Sequence, residues 1–148
     1  ADLVEELCRS GARADGIDDD GLPLWTAVTY GYTGAAEALA RRGARVDNLC
    51  FAAALGDLDA VWGYFDGDRD PRAGLPDRIG ALGPELEADL VVEYALIWAA
   101  AHGRRPVVEF LLTKNPDLRV IEPSFHSTAL GAARYHGRDQ ILDLLDVT

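Results

Sequence analysis

The apolar positions of the chain recur in one figure. Residues 27–39 (AVTYGYTGAAEAL), 52–65 (AAALGDLDAVWGYF), 99–112 (AAAHGRRPVVEFLL) and 132–145 (AARYHGRDQILDLL) each run from small residues into a glycine. A short polar stretch follows, and then an apolar-rich run. The aligned glycines are Gly31, Gly56, Gly103 and Gly137, spaced 25, 47 and 34 residues apart. Such a figure predicts two helices per unit. Alanines such as Ala99, Ala100, Ala132 and Ala133 favour helix and let a neighbouring helix approach closely. The glycine then takes the left-handed position that ends the first helix. Pro106 stands where a second helix begins, since its missing N–H has no intrahelical partner there. Val107, Val108, Phe110 and Leu111 form one apolar stripe on that second helix, as do Ile141, Leu142, Leu144 and Leu145 in the last unit. Asn115-Pro116 stops the second helix of the third such pair, and the strings SGARAD (10–15) and RGARVD (42–47) are the same stop, 32 residues apart.

These residues resemble the ankyrin repeat, whose pattern is a turn, Thr-Pro-Leu-His, an Ala-rich helix, Gly, and a Val-Val-x-Leu-Leu helix closed by Gly-Ala-Asp. LPLWTAVTYG (22–31) and STALGAARYHG (127–137) carry the likeness best. The resemblance implies an all-α ankyrin-repeat helical solenoid of about four and a half repeats forming one domain. Its register gives a half repeat at 1–15, then repeats at 16–46, 47–65, 88–117 and 118–148. The 47–65 unit lacks its finger, and residues 66–87 are a long loop insertion. The missing half repeat would leave Leu3 and Leu7 half covered, so further protein is expected upstream. Ala52, Ala53, Ala99 and Ala100 are expected at close contacts between consecutive repeats.

Composition adds limits rather than chemistry. Asp and Glu outnumber Lys and Arg by 25 to 14, a net charge of −11. That balance argues against nucleic acid and anionic membrane as partners and favours a protein with a basic or neutral surface. No apolar run is long enough for a transmembrane helix, and no secretory leader is recognisable. Two cysteines without CxxC spacing, Cys8 and Cys50, fit a reducing, cytoplasmic setting. The register puts them on different layers about 20 Å apart, so two free thiols are expected.

No GxSxG, HExxH, Walker or GxGxxG pattern is present. Ser124, His126 and Ser127 share one finger without an evident acid partner. The chain is therefore expected to be non-catalytic, with no cofactor and no metal. Asp66, Asp68, Asp70 and Asp77 sit at EF-hand offsets, but Pro71 replaces the required glycine and Asp77 the bidentate glutamate. IDDDG (17–21) reads as a turn with solvated carboxylates. The 66–87 insertion is either a tolerated surface loop or a flap over the concave face.

Candidate binding residues come from the register. His102 and His136 precede their glycines as Tyr30 and Leu55 do, and in ankyrin repeats that position borders the concave surface. Tyr30, Leu55, His102 and His136 would form a ladder there, with Thr29, Ala54, Ala101 and Tyr135 beside it. Tyr94, Trp98 and His102, four residues apart, fall along one helix face. Trp25 and Trp98 also read as core aromatics. Trp62 holds an outer-helix position that is usually polar, so either the insertion folds back on it or it is an exposed patch. The resemblance implies a non-catalytic interaction module that binds a protein partner through its concave face. The alternative is a small-molecule binder or enzyme. Tyr94, Trp98, His102, Tyr135 and His136 would line its pocket, at the irregular junction under the insertion. A closed apolar cavity beside His102 would favour the second, an open groove the first.

Overall fold

The computed structural model describes residues 2–16, 21–76 and 85–146, and all regular structure among them is helical. The acids at 17–20, Asp77 and the 77–84 part of the insertion lie outside the described residues. The chain forms α1 (Asp2–Arg9), α2 (Leu22–Thr29), α3 (Thr33–Arg41), α4 (Leu49–Ala54), α5 (Leu58–Gly63), α6 (Val91–Ala101), α7 (Arg105–Leu112), α8 (Ala129–Tyr135) and α9 (Leu142–Leu145). Short 3₁₀ turns occupy Pro71–Gly74, Ala88–Leu90 and Asp139–Ile141. No helix among the described residues is long and apolar enough to cross a membrane.

The recurring figure has one structural cause. Gly31, Gly56, Gly103 and Gly137 all adopt φ between 67° and 75°, ending α2, α4, α6 and α8 in the left-handed conformation. In each case the following residue's N–H donates to the carbonyl five residues back: Tyr32 to Ala27, Asp57 to Ala52, Arg104 to Ala99 and Arg138 to Ala133, at 2.8–3.0 Å. This closure satisfies carbonyls that a helix end would otherwise leave open. The stops of α1, α3 and α7 are equally local. Gly11 and Gly43 are left-handed, and Asn115, before Pro116, takes φ 55°.

Helix α6 is the centre of the molecule. Its sequence, VVEYALIWAAA, is apolar nearly all round, and nine of its eleven residues are buried. A helix of that composition must be covered on every side. Helices α4 and α8 flank it, α7 packs behind it, and α5 meets α7. Ala52, Ala53, Ala99 and Ala100 are essentially fully buried, as contact positions should be. Two arginines repeat one further contact. Arg104 Nε donates to the Ala54 carbonyl at 2.8 Å, and Arg138 Nε to the Ala101 carbonyl at 3.0 Å. Each places a cation at the C-terminal end of the preceding inner helix, where the helix dipole favours it.

The α2–α3 pair departs from the order of an open stack. There, α2 and α6, two units apart, would be separated by two steps of about 8–10 Å. Instead, Trp25 of α2 meets both Phe51 of α4 and Trp98 of α6, with ring centroids 6.1 and 5.8 Å away. The Tyr30–Thr33 turn lies against the ends of α6 and α8. Thr33 Oγ1 is 2.8 Å from His102 Nδ1 and accepts from Arg138 Nη2 at 2.9 Å. The first described pair thus closes over the C-terminal turns of the last two.

The described part of the insertion packs against α4 and α6, meeting α4 at its first residue. Gly74 sits where a Cβ would lie 2.6 Å from Leu49 Cβ, a close approach only glycine permits. Arg72 ties this turn to Asp89 across the insertion at 3.1 Å.

A candidate aromatic cleft

A cleft of about 580 Å³ lies between the α2–α3 turn, α6, α8 and the 122–127 turn. Its rim carries Tyr30, Tyr32, Phe125 and Tyr135, all exposed, the last 85% so. Tyr30 stacks on Tyr32 with centroids 5.6 Å apart and meets Phe125 edge-on at 4.8 Å. Ile97, Trp98 and Ala101 supply the α6 wall, Ala132 and His136 the α8 wall, and Thr29, Glu122 and Ser127 also line it.

Glu122 organises the 122–127 turn. It is only 2% exposed, yet its carboxylate accepts the N–H groups of Ser124 and Phe125, each at 2.6 Å. Its backbone N–H donates to Ser127 O and its carbonyl accepts from His126 N, closing the turn from both sides. His126 takes φ 56° at the tip and is exposed. An acid therefore does sit in the same turn as Ser124, His126 and Ser127, and each of its oxygens receives one backbone amide of that turn.

His102 is a correction to the expected ladder. It is 3% exposed and lies beneath the α2–α3 turn. Its Nε2 is 2.9 Å from the Val28 carbonyl, which can only accept, so Nε2 carries the proton. Nδ1 then accepts from the Thr33 hydroxyl, which itself accepts from Arg138. Burial, with the charges of Arg104 and Arg138 nearby, lowers the His102 pKa to about 4. It is a neutral hub that fastens α2 and α3 to α6, not a surface ligand.

Four of the expected site residues meet at the cleft: Tyr30, Trp98, Tyr135 and His136. Trp98 reaches it from the core, being 1% exposed. Tyr94 does not reach the cleft. It is buried, and its hydroxyl accepts from the Glu87 N–H at 3.3 Å. Burial raises its pKa above the usual tyrosine value. Leu55 is half-buried and also outside the cleft. Trp62 lies elsewhere, 56% exposed and stacked on Phe110 of α7 at 5.0 Å. Lys114 Nζ covers the other aromatic contacts of that patch, 5.0 Å from the Phe110 ring and 5.1 Å from Phe65. Among the described residues of the insertion none lines the cleft; Arg69 donates to the Gly63 carbonyl at the end of α5 at 3.0 Å, and Pro71–Gly74 packs toward α4 and α6. The 122–127 turn forms one edge of the cleft.

His136 keeps its place on the cleft wall. Burial, and the Arg138 charge, hold its pKa below the usual imidazole range. Its ring packs against the backbone of Gly31, where an added Cβ would lie 2.2 Å from the imidazole. Sequence reasoning missed Tyr32, Phe125 and Glu122. The available signal was the Glu-Pro-Ser-Phe string, an acid placed to receive the two amides of a turn.

Neither metal nor thiol chemistry gathers here. No group of three or more His, Cys, Asp or Glu side chains among the described residues is arranged to hold a metal ion. Asp70, one of the EF-hand offsets, instead receives the Arg72 Nε at 2.9 Å and its backbone N–H at 3.0 Å. Cys8 and Cys50 are both free thiols. Burial pushes the Cys50 thiol far above its usual pKa and makes it inert. No known family model matches the chain, and no curated protein matches it significantly.

Proposed function

We propose that the chain is a non-catalytic interaction module built on ankyrin-like repeats, binding a protein partner through the aromatic cleft. One observation carries the reading. Tyr30, Tyr32, Phe125 and Tyr135 are exposed together around one concavity, contributed by three separate parts of the chain. Large rigid aromatics at a concave surface are the residues that dominate protein–protein contacts. The repeat reading is supported by the shared helix closures at Gly31, Gly56, Gly103 and Gly137 and by the matched Arg104 and Arg138 contacts. A solenoid whose α2–α3 pair folds back makes the concave face a bounded cleft rather than a long groove. The free thiols suit a reducing cytoplasmic setting.

The size of the cleft favours a second reading, a small-molecule site. Its 580 Å³ lies within the roughly 300–1,000 Å³ usual for such pockets. A photo-crosslinking residue placed at Tyr135 separates the two. Capture of a discrete protein from Tyr135, but not from exposed Glu109 on α7, is the expected result. Capture from neither position, with a metabolite raising the unfolding midpoint, would replace the first reading with the second.

A further inference from the structure

The charge inventory of the cleft is one-sided. Among the described residues, Glu122 is the single charged residue lining it, in a chain of net charge −11. The arginines of and just after α8 are already engaged. Arg138 donates to Ala101 O and Thr33 Oγ1, and Arg134 lies 3.8 Å from Asp146. Burial, and the Arg138 charge, lower the His136 pKa and so disfavour a cation there. An apolar and aromatic enclosure with one buried carboxylate and no lining cation is complementary to a positive side chain.

We propose that the cleft seats an arginine side chain of the protein partner, its guanidinium packed on the rim tyrosines and directed at the Glu122 carboxylate. The inference rests on the module reading and names what that module recognises. Three features select arginine over a compact cation. Each Glu122 oxygen already accepts one backbone N–H, from Ser124 or Phe125, and keeps one further acceptor site. Two parallel acceptors match the fork of a guanidinium. Tyr32, 57% exposed and stacked on Tyr30, supplies a flat ring, on which a planar guanidinium packs better than an ammonium. The same two amide bonds hold the 122–127 turn and so fix Phe125 beside Tyr30.

The test is an NMR titration of the whole chain with Nα-acetyl-arginine methylamide and with its neutral isostere, Nα-acetyl-citrulline methylamide. The arginine probe is expected to perturb Tyr30, Phe125 and Ser127 and to bind about tenfold more tightly than citrulline, the size of one charge-assisted bond. Tyr135→Ala should weaken the arginine probe about threefold through the lost ring contact. Glu122→Gln should abolish the preference for arginine over citrulline. Should that variant fail to fold, the two-probe comparison on wild type and on Tyr135→Ala decides alone, since Tyr135 is 85% exposed. Equal affinity for the two probes, or perturbation confined to residues outside the cleft, overturns the inference. A protein captured at Tyr135 alongside equal probe affinities would remove the arginine inference and keep the module. Arginine selectivity without any captured protein would do the reverse.

Discussion

Helices α6 and α8 end in the same words, His-Gly-Arg, and in the same left-handed closure. Their histidines nevertheless have opposite fates. His102 is buried with both ring nitrogens bonded, one of them to a carbonyl 74 residues earlier. His136 is half-buried and forms part of a cleft wall. The local motif decides where the helix stops and which way the histidine leaves it. Which element then covers it is decided by the α2–α3 turn, which presents the Val28 carbonyl and Thr33 hydroxyl to one histidine and the Gly31 backbone to the other. Two helix ends with the same sequence share geometry, not environment.

Removing each imidazole should separate the two ends most sharply. His102→Ala leaves the Val28 carbonyl without its donor, breaks the Thr33–Arg138 relay and opens a void. The expected loss is about 3 kcal/mol of unfolding free energy. His136→Ala removes a half-buried ring with no hydrogen bond to the core and should cost under about 1 kcal/mol. Denaturant unfolding measures both, and equal losses would dissolve the distinction.

Acid should act through the same histidine. The folded pKa of His102 is about 4, below the ordinary value of roughly 6.5. Between these values the unfolded chain binds a proton that the folded chain does not. Stability is therefore full above pH 6.5 and falls as the pH drops toward 4, by on the order of 3 kcal/mol. His136, also lowered, adds a smaller loss of the same sign. In His102→Gln the slope over this window should shrink to the His136 share. A variant with the wild-type slope would assign the proton elsewhere.

Gly31 and Gly137 test the comparison from the glycine side. Both have positive φ, 75° and 67°, so an alanine at either is strained by about 1 kcal/mol. An added Cβ at Gly137 meets nothing within 4 Å, whereas at Gly31 it strikes the His136 imidazole. Gly31→Ala should therefore cost about 2 kcal/mol, roughly twice Gly137→Ala, the excess arising from displacement of a packed ring. His136→Ala in the Gly31→Ala background should recover that excess. Additive losses would mean the ring is not what Gly31 accommodates.

The helix ends were legible in the sequence because their causes are local. A glycine after small residues, a proline at a helix start and Asn-Pro at a helix stop each act within one turn. The buried alanines were legible for the same reason, as were the helix-end positions of Tyr30, Tyr135 and His136. The return of α2–α3 across α6 and α8 was not. It rests on contacts such as Thr33 with Arg138, 105 residues apart, for which no local pattern exists. His102 was misplaced by that one omission, since its helix-end position is local and the cover supplied by the α2–α3 turn is not. Tyr94 failed differently. The Tyr94–Trp98–His102 spacing marks one face of α6, but a helix apolar all round has no solvent face to mark. Glu122 was hidden by its role, because a carboxylate bonded to backbone amides in a turn leaves only a faint mark in sequence.

The smallest expected effect on stability falls at the rim. Tyr135 closes α8 one residue before His136, and the two rings meet edge-on with centroids 5.0 Å apart. That contact lies on the solvent side, and Tyr135 is 85% exposed. Its hydrophobic surface is thus already in water in the folded state, and truncation forfeits little burial. Tyr135→Ala should shift the unfolding free energy by no more than about 0.5 kcal/mol. An exposed aromatic that contributes nothing to folding has its contact surface available to another molecule. The same substitution should therefore weaken partner binding several-fold at unchanged stability, the pattern of an interface anchor. His102→Ala should do the opposite, losing binding only as the folded fraction declines. If Tyr135→Ala instead unfolds the protein at lower denaturant and leaves partner affinity intact, the α8 end belongs to the fold, and the binding surface must be sought at Trp62 and Phe110.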